Sequence, residues 1–456
     1  MGRGFEGGMK KRFALGVGAN AFGQIVTILT QLVSVPLFLS CWGVEVYGEW
    51  LILTAIPVYL SLCEFGFANT ASNEMTTAVA RGRNRYALGV YWSLWRGVSL
   101  ISLFTAALAL LVVLSLDMST VFNLRELSSS VNEIMVLYFI QVVFVLQGQM
   151  LWPGFKCQGG YAYAALFSGG IRLLEFVFMV VALIVVGTPT AVALGCLLGR
   201  AIATVLTAIF MFKKYPWMLA RSSYTSWGLL RKLSPSALAF MAIPISNMIL
   251  IQGMTLLVGA VLGAAGVVVF NTTRTLSRVV YQVVDKFKDT LWPEITRLYG
   301  DNDIEAVKVL VGRLVQFNIW FVGAGIIFLA FTGDWIIGVW TRGGLDLELP
   351  FFYVILLSLY FGTLWNSLSV VLVAASKHRL IAYCCLSLSV LVLPIASLLM
   401  EDMSLLGAAL ALLGLDVLML VIVWFKAASL IGIRPNDMLF SYLKFPVWVF
   451  KLVGGK

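Results

Sequence analysis

Arg274 and Arg278 stand one helical turn apart in a stretch, 266–287, whose other residues are nearly all apolar and which is long enough to cross a bilayer. A guanidinium at that depth is costly unless it faces a helix-bundle interior or a wet cavity. Helical periodicity places Asn271, Arg274, Arg278, Gln282 and Asp285 on roughly one face. Such a stripe suits a helix lining a water-filled cavity better than one surrounded by lipid. Arginine stays charged on burial, and its planar fork matches phosphate oxygens. The chemistry on offer is therefore recognition of an anion. A site for cationic ligands would expose carboxylates or aromatic faces instead.

Other polar residues are spaced to join such a site. Asn20, Gln24, Thr27, Gln31 and Ser34 recur at intervals of three and four in an apolar run near the start of the chain. A sparser face in a later run carries Asn247 and Thr255, with Gln252 beside it. Asn271, Gln24, Asn20, Gln31 and Asn247 are thus candidates to hydrogen-bond a polar ligand whose charge the arginines hold. The competing reading is that these amides and hydroxyls only join helices. Arg172 and Glu175, three residues apart, read as a structural ion pair. Arg200 and Arg96 have no local partner and either extend the cationic surface or pair across helices; Arg200 joins the candidate binding set. Asp416 is the deepest isolated acid, and Glu64 lies near the inner end of its helix. Each is a candidate for proton or sodium coupling, or the buried partner of an arginine. Glu45 and Glu49 read as outer-surface acids.

Enzymatic chemistry lacks its parts. No GxxxxGK[ST] segment, HExxH or DFG set is present, and His378, the only histidine, stands in a basic turn between Lys377 and Arg379. Nothing in the sequence calls for a cofactor or a metal. The six cysteines are too few for a disulfide framework and read as reduced packing residues.

The elements that must position these residues follow from composition. Of 456 residues 60% are hydrophobic and 12% charged, against about 25% charged in soluble domains. The chain is expected to be an all-α integral membrane protein. Taking about 20 apolar residues per crossing, twelve spans are expected at 13–38, 47–66, 87–114, 134–153, 163–186, 190–212, 236–261, 266–287, 309–331, 350–375, 380–399 and 404–425. With the N-terminus in the cytoplasm, inner loops collect Arg81, Arg83, Arg85, Lys156, Lys213, Lys214, Arg221, Arg231, Lys232, Lys286, Lys288, Arg297, Lys308, Arg313, Lys377 and Arg379, while the outer loops hold only Arg125 and Arg342. This asymmetry is the positive-inside pattern for an even number of spans with both termini inside. The formal charge of +10 is then mainly a topology signal, not one for nucleic acid.

The spans divide into two halves, 1–212 and 236–425, joined by a basic cytoplasmic linker at 213–235. Each half opens on a long helix and a glycine-containing outer turn, Trp42-Gly43 in one and Leu262-Gly263 in the other. The inner segments following each second helix, 73–82 and 293–300, loosely echo one another. Paired halves are common in secondary transporters. Residues 426–456 mix Asp437, Lys444 and Lys451 with Leu439, Phe440, Trp448 and Phe450, as expected for an amphipathic helix on the inner face; a thirteenth span is the alternative.

One segment also carries a family resemblance. Val35-Pro36-Leu37-Phe38-Leu39-Ser40-Cys41-Trp42-Gly43-Val44-Glu45-Val46-Tyr47-Gly48-Glu49-Trp50, followed by Glu64-Phe65-Gly66-Phe67-Ala68 and Asn73-Glu74-Met75, resembles bacterial polysaccharide flippases of the O-antigen type. These form a branch of the multidrug/oligosaccharidyl-lipid/polysaccharide exporter superfamily. The resemblance implies two six-helix lobes around a central cavity, working by alternating access in the bacterial inner membrane. Its implied cargo is an undecaprenyl-pyrophosphate-linked oligosaccharide repeat unit, moved from the inner to the outer face. It implies membrane lipids as partners, a glycan polymerase or chain-length regulator nearby, and H+ or Na+ as coupling ion. The 35–50 segment itself reads as a folding and lobe-gating element. A cation-coupled multidrug or metabolite antiporter is the second reading. An integral-membrane polymerase or acyltransferase is the third, and would need catalytic groups on large loops; the one conspicuous outer loop, 333–349, holds Asp334, Arg342, Asp346 and Glu348 without a recognisable constellation.

Overall fold

The computed structural model describes residues 2–61, 65–122, 124–220, 226–375 and 377–443. Among these the chain is helices and turns, without strands. The helices are α1 (Gly2–Leu60), α2 (Phe65–Ala80), α3 (Asn84–Ser115), α4 (Met118–Val121), α5 (Val131–Gln149), α6 (Leu151–Lys156), α7 (Tyr161–Val185), α8 (Pro189–Lys214), α9 (Trp227–Met248), α10 (Met254–Gly300), α11 (Ile304–Trp340), α12 (Leu349–Ala374), α13 (His378–Ile431) and α14 (Pro435–Leu443). A π-helical turn, Ile249–Gly253, joins α9 to α10.

Twelve spans emerge because α1, α10 and α13 each fold back within one continuous run of helix. The reversals fall at Gly43 (φ 75°, ψ −176°), Gly263 (φ 76°, ψ −173°) and Ser404 (φ 50°, ψ −134°). The second part of α1 is counted together with α2 as the second span, α5 with α6 as the fourth, and α9 with the start of α10 as the seventh. Gly43 and Gly263 adopt nearly the same backbone conformation, in a region that glycine alone enters at little cost. The two halves therefore open on matching turns.

Several spans outrun their apolar cores. α2 reaches Ala80 and α10 reaches Gly300, so the segments 73–80 and 293–300 are helical and not loops. Along the end of α10, Lys286 pairs with Asp289, and Arg297 with Glu294 and Asp301, at helical spacing. Such pairs sustain a helix in water. The expected outer loop at 333–349 is likewise shortened, because α11 runs to Trp340 and takes Asp334 into the helix.

Two compact units divide at Met248/Ile249, inside the seventh span and beyond the expected 213–235 linker. In the first unit α7 packs on α1 and α8, α5 on α3 and α8, and α9 on α2 and α3. Its core includes Met75, Tyr91, Leu94, Leu146, Met150 and Phe155. Gly66 lets α2 meet α9, since a Cβ there would lie 2.0 Å from the Ala237 carbonyl oxygen. In the second unit α12 is central, packing on α10, α11 and α13. Leu276, Leu329, Ile337, Phe352 and Leu356 form a core cluster there. The helix expected within 426–456 is seen as α14, whose Met438 and Tyr442 are buried; residues 444–456 lie outside the described residues.

Candidate functional site

The expected stripe on the eighth span is built on α10, where its members prove unequal. Arg274 is drawn into its own unit. Its guanidinium donates to the Ile251 carbonyl at 2.9 Å and to Asn271 Oδ1 at 2.5 Å, and it lies over the Phe270 ring, 5.1 Å from the centroid. Asn271 Oδ1 also accepts from Thr255 at 3.3 Å, and its amide donates to the Val267 carbonyl. The Ile251 carbonyl belongs to the π-helical turn, where the ordinary helical ladder is interrupted. Arg274 thus uses part of its donor set to satisfy the backbone of the preceding span. Arg278, one turn on, is half-buried and has no hydrogen bond or ion pair among the described residues. Neither arginine has a carboxylate partner there.

Further along α10 the stripe changes character. Asp285 accepts from Lys288 Nζ at 2.7 Å, and the same ammonium donates to Asn366 Oδ1 at 2.7 Å. Asn366 in turn donates to the Tyr281 hydroxyl. Deeper in, Asn318 of α11 donates to the Thr363 carbonyl and the Ser367 hydroxyl of α12 and accepts from the Thr363 hydroxyl. A cavity of about 10 Å³ lies between Tyr281, Asp285, Lys288, Thr363 and Asn366, the size of a single water site. Sequence reading took Lys288 as an inner-loop topology residue and did not find this network. The signal was present, since an i, i+3 Asp285–Lys288 pair at the end of an apolar run is a local pattern, but its partners on α12 are not local.

Asp416 of α13 lies against α12. Ser358 donates to its Oδ2 at 2.6 Å and Trp365 to its Oδ1 at 3.0 Å. Gly362 makes room, for a Cβ there would stand 3.1 Å from the carboxylate. Both oxygens are held by neutral donors, and no arginine partners it among the described residues.

In the first unit the expected Arg172–Glu175 pair is replaced by a longer-range one. Glu175 Oε2 lies 2.6 Å from an Arg200 nitrogen, across the α7–α8 hairpin, and its Oε1 accepts from Gln141 of α5 at 2.6 Å. Arg172 instead donates to the Thr27 hydroxyl of α1. The reason is geometric: residues nearly equidistant from the Gly187 turn face each other across the antiparallel pair, whereas Arg172 points to the neighbouring helix. Along α1, Asn20 donates to the Gly16 carbonyl, Thr27 to Gly23 and Ser34 to Thr30, so part of this stripe is occupied by its own helix backbone. Gln24 and Gln31 are half-buried and engaged, and Asn247 is exposed. Glu64 lies outside the described residues.

Glu49 corrects its sequence reading as a surface acid. It is buried, and its carboxylate accepts from the backbone N–H groups of Arg125, Glu126 and Leu127 at 2.7, 3.1 and 2.8 Å. The resembling segment therefore fastens the loop before α5. Trp42 reinforces the same end by donating to the Gly187 carbonyl at 2.6 Å. This supports a folding role for the segment.

Membrane-length helices, twelve once the three reversals are counted, with charged side chains held within the spans, form the fold of a multi-pass membrane protein. No family model matches the chain. It is 22% identical over 341 residues, 74% of its length and 77% of the relative's, to a Salmonella typhi protein whose name provisionally designates it an O-antigen transporter. Among solved structures, the lipid II flippase MurJ in an inward closed conformation superposes with a TM-score of 0.69 at 15% identity, covering 97% of this chain and 93% of that one. An inward-facing multidrug resistance transporter of the MATE family and MOP superfamily gives a TM-score of 0.69 at 11% identity, with 90% and 95% covered. The expected resemblance to transporters of the O-antigen type is borne out by that relative, and the two solved structures show a shared fold.

Proposed function

We propose that the chain translocates undecaprenyl-pyrophosphate-linked oligosaccharide repeat units from the inner to the outer face of the bacterial cytoplasmic membrane. The observation that carries this reading is Arg278, a half-buried cation within a span and without a counter-ion among the described residues, one turn from Arg274. A lone buried charge costs several kcal/mol or more, and an anionic ligand offsets that cost. A pyrophosphate meets the requirement. The prenyl chain stays in lipid. Alternating exposure of this site to the two sides carries the charged head across a barrier it does not cross alone, without changing a covalent bond. The name of the Salmonella typhi relative and the fold shared with a lipid II flippase support the assignment.

The second reading, a cation-coupled antiporter, draws on the equally good superposition on the multidrug transporter and on Asp416, an acid within a span that has no basic partner among the described residues. The test is a proteoliposome assay with labelled undecaprenyl-pyrophosphate glycan. Wild-type protein is expected to flip the lipid, and Arg274→Ala with Arg278→Ala to lower the rate at least about tenfold, the effect of one lost charge-assisted contact. Saturable export of a small organic cation, lost in Asp416→Asn, with no glycan flipping by wild type, would replace the flippase reading by the antiporter.

A further inference from the structure

The arginines of the first unit are not explained by the site on α10. Arg172, Glu175 and Arg200 sum to one positive charge, and they are joined by Gln141 and Thr27 from neighbouring helices. Two buried polar atoms of this cluster, Arg200 Nε and Gln141 Oε1, have no hydrogen-bond partner. Arg172 is exposed and is held by a neutral hydroxyl. A structural ion pair would end in neutrality with its donors satisfied. This one leaves a surplus cation and an unfilled guanidinium edge.

We propose that Arg172 and Arg200 form a second oxyanion subsite, for a phosphate or diphosphate group, which Glu175 masks as an internal counter-ion. An incoming phosphate takes the place of the Glu175 carboxylate on Arg200 and supplies Arg172 with an ion-pair contact. The displaced carboxylate keeps its neighbour Gln141 and, once the arginines are shared with the ligand, binds a proton more readily. Because linkage is reciprocal, anion binding and proton uptake favour one another. The other groups around Glu175 are Tyr138 of α5 and Cys196 of α8; α1 contributes the neutral Thr27. As a subsite for lipid-linked diphosphate the proposal rests on the flippase reading, but the binding test stands apart from it.

The experiment is calorimetric titration of the full chain, in nanodiscs of phosphatidylcholine, with farnesyl diphosphate. Glu175→Gln is expected to bind about tenfold more tightly than wild type, one charge-assisted hydrogen bond's worth, and adding Arg172→Ala is expected to remove the gain. Wild type should take up a proton on binding, seen as a heat that changes with buffer ionisation enthalpy; Glu175→Gln should not. Gln141→Glu, which adds a carboxylate, is expected to weaken binding about tenfold, and it keeps the proposal refutable should Glu175→Gln fail to fold. The gain of Glu175→Gln should persist in an Arg274→Ala, Arg278→Ala background, which separates this subsite from the site on α10. Nanodiscs containing phosphatidylglycerol distinguish the natural source. If the anionic lipid abolishes the gain by competition, the subsite serves a phospholipid headgroup; if the gain survives, it serves a prenyl diphosphate. Unchanged affinity in both Glu175→Gln and Gln141→Glu, or a gain that survives Arg172→Ala, would overturn the proposal.

Discussion

Arg274 and Arg278 share a face and a charge, yet the structure gives them different work. Arg274 holds the π-helical turn through the Ile251 carbonyl and positions Asn271, while Arg278 is unengaged among the described residues. Arg278→Ala is therefore expected to lower glycan flipping at least about tenfold while leaving the thermal midpoint unchanged. Arg274→Ala removes two charge-assisted hydrogen bonds, to the Ile251 carbonyl and to Asn271 Oδ1, leaving Thr255 as their remaining side-chain donor, and is expected to destabilise by about 1–3 kcal/mol, read as a lowered midpoint in a detergent-solubilised melt. Equal midpoints for the two variants would remove the distinction. Which residue types would carry chemistry was legible in the sequence, because a charge within an apolar run stands out without any structure. Their partners were not. Glu175 meets Arg200 across a hairpin and Glu49 meets a loop far along the chain, and spacing along the sequence reports neither contact.

At the scale of helices, the same sequence pattern reads well where it is local. Apolar runs fix the number of spans, and the glycines at 43 and 263 mark two of the reversals. Helix ends read less well, since α2 and α10 continue on polar sequence that i, i+3 and i, i+4 ion pairs sustain, and the π-helical turn at Ile249–Gly253 interrupts an apolar run with no breaker residue except its final glycine. The third reversal is built differently from the first two. Ser404 adopts a positive φ of 50°, the conformation that Gly43 and Gly263 adopt without a side chain to strain. Ser404→Gly is expected to relieve strain and raise stability by about 1 kcal/mol. Gly263→Ala forces a Cβ into a region almost reserved for glycine and is expected to cost about 1–3 kcal/mol. Thermal unfolding of both variants checks the pair, and shifts of the same sign would show that the turns are governed by contacts rather than by backbone conformation.

For the molecule as a whole, orientation in the bilayer is the property on which the direction of transport rests. Packing within the chain does not choose a side of the bilayer; the distribution of Lys and Arg does. Arg83 stands exposed in the short turn between α2 and α3, and Arg342 stands exposed in the turn between α11 and α12. With both termini inside, these turns face opposite sides of the membrane. The check is to replace each by cysteine in turn, in a background where Cys41, the exposed thiol among the described cysteines, is serine. A membrane-impermeant maleimide is expected to label Arg342→Cys in spheroplasts with intact inner membranes, and Arg83→Cys only after that membrane is opened. The reverse pattern would turn the chain over and make the proposed transport an import. Labelling of both from outside would mean an even number of crossings between the two turns, where the fold has seven. A helical crossing needs about 20 residues, so that outcome would strike at the reversal at Gly263, which lies between the two turns, or at the short turns that join the spans on either side of it.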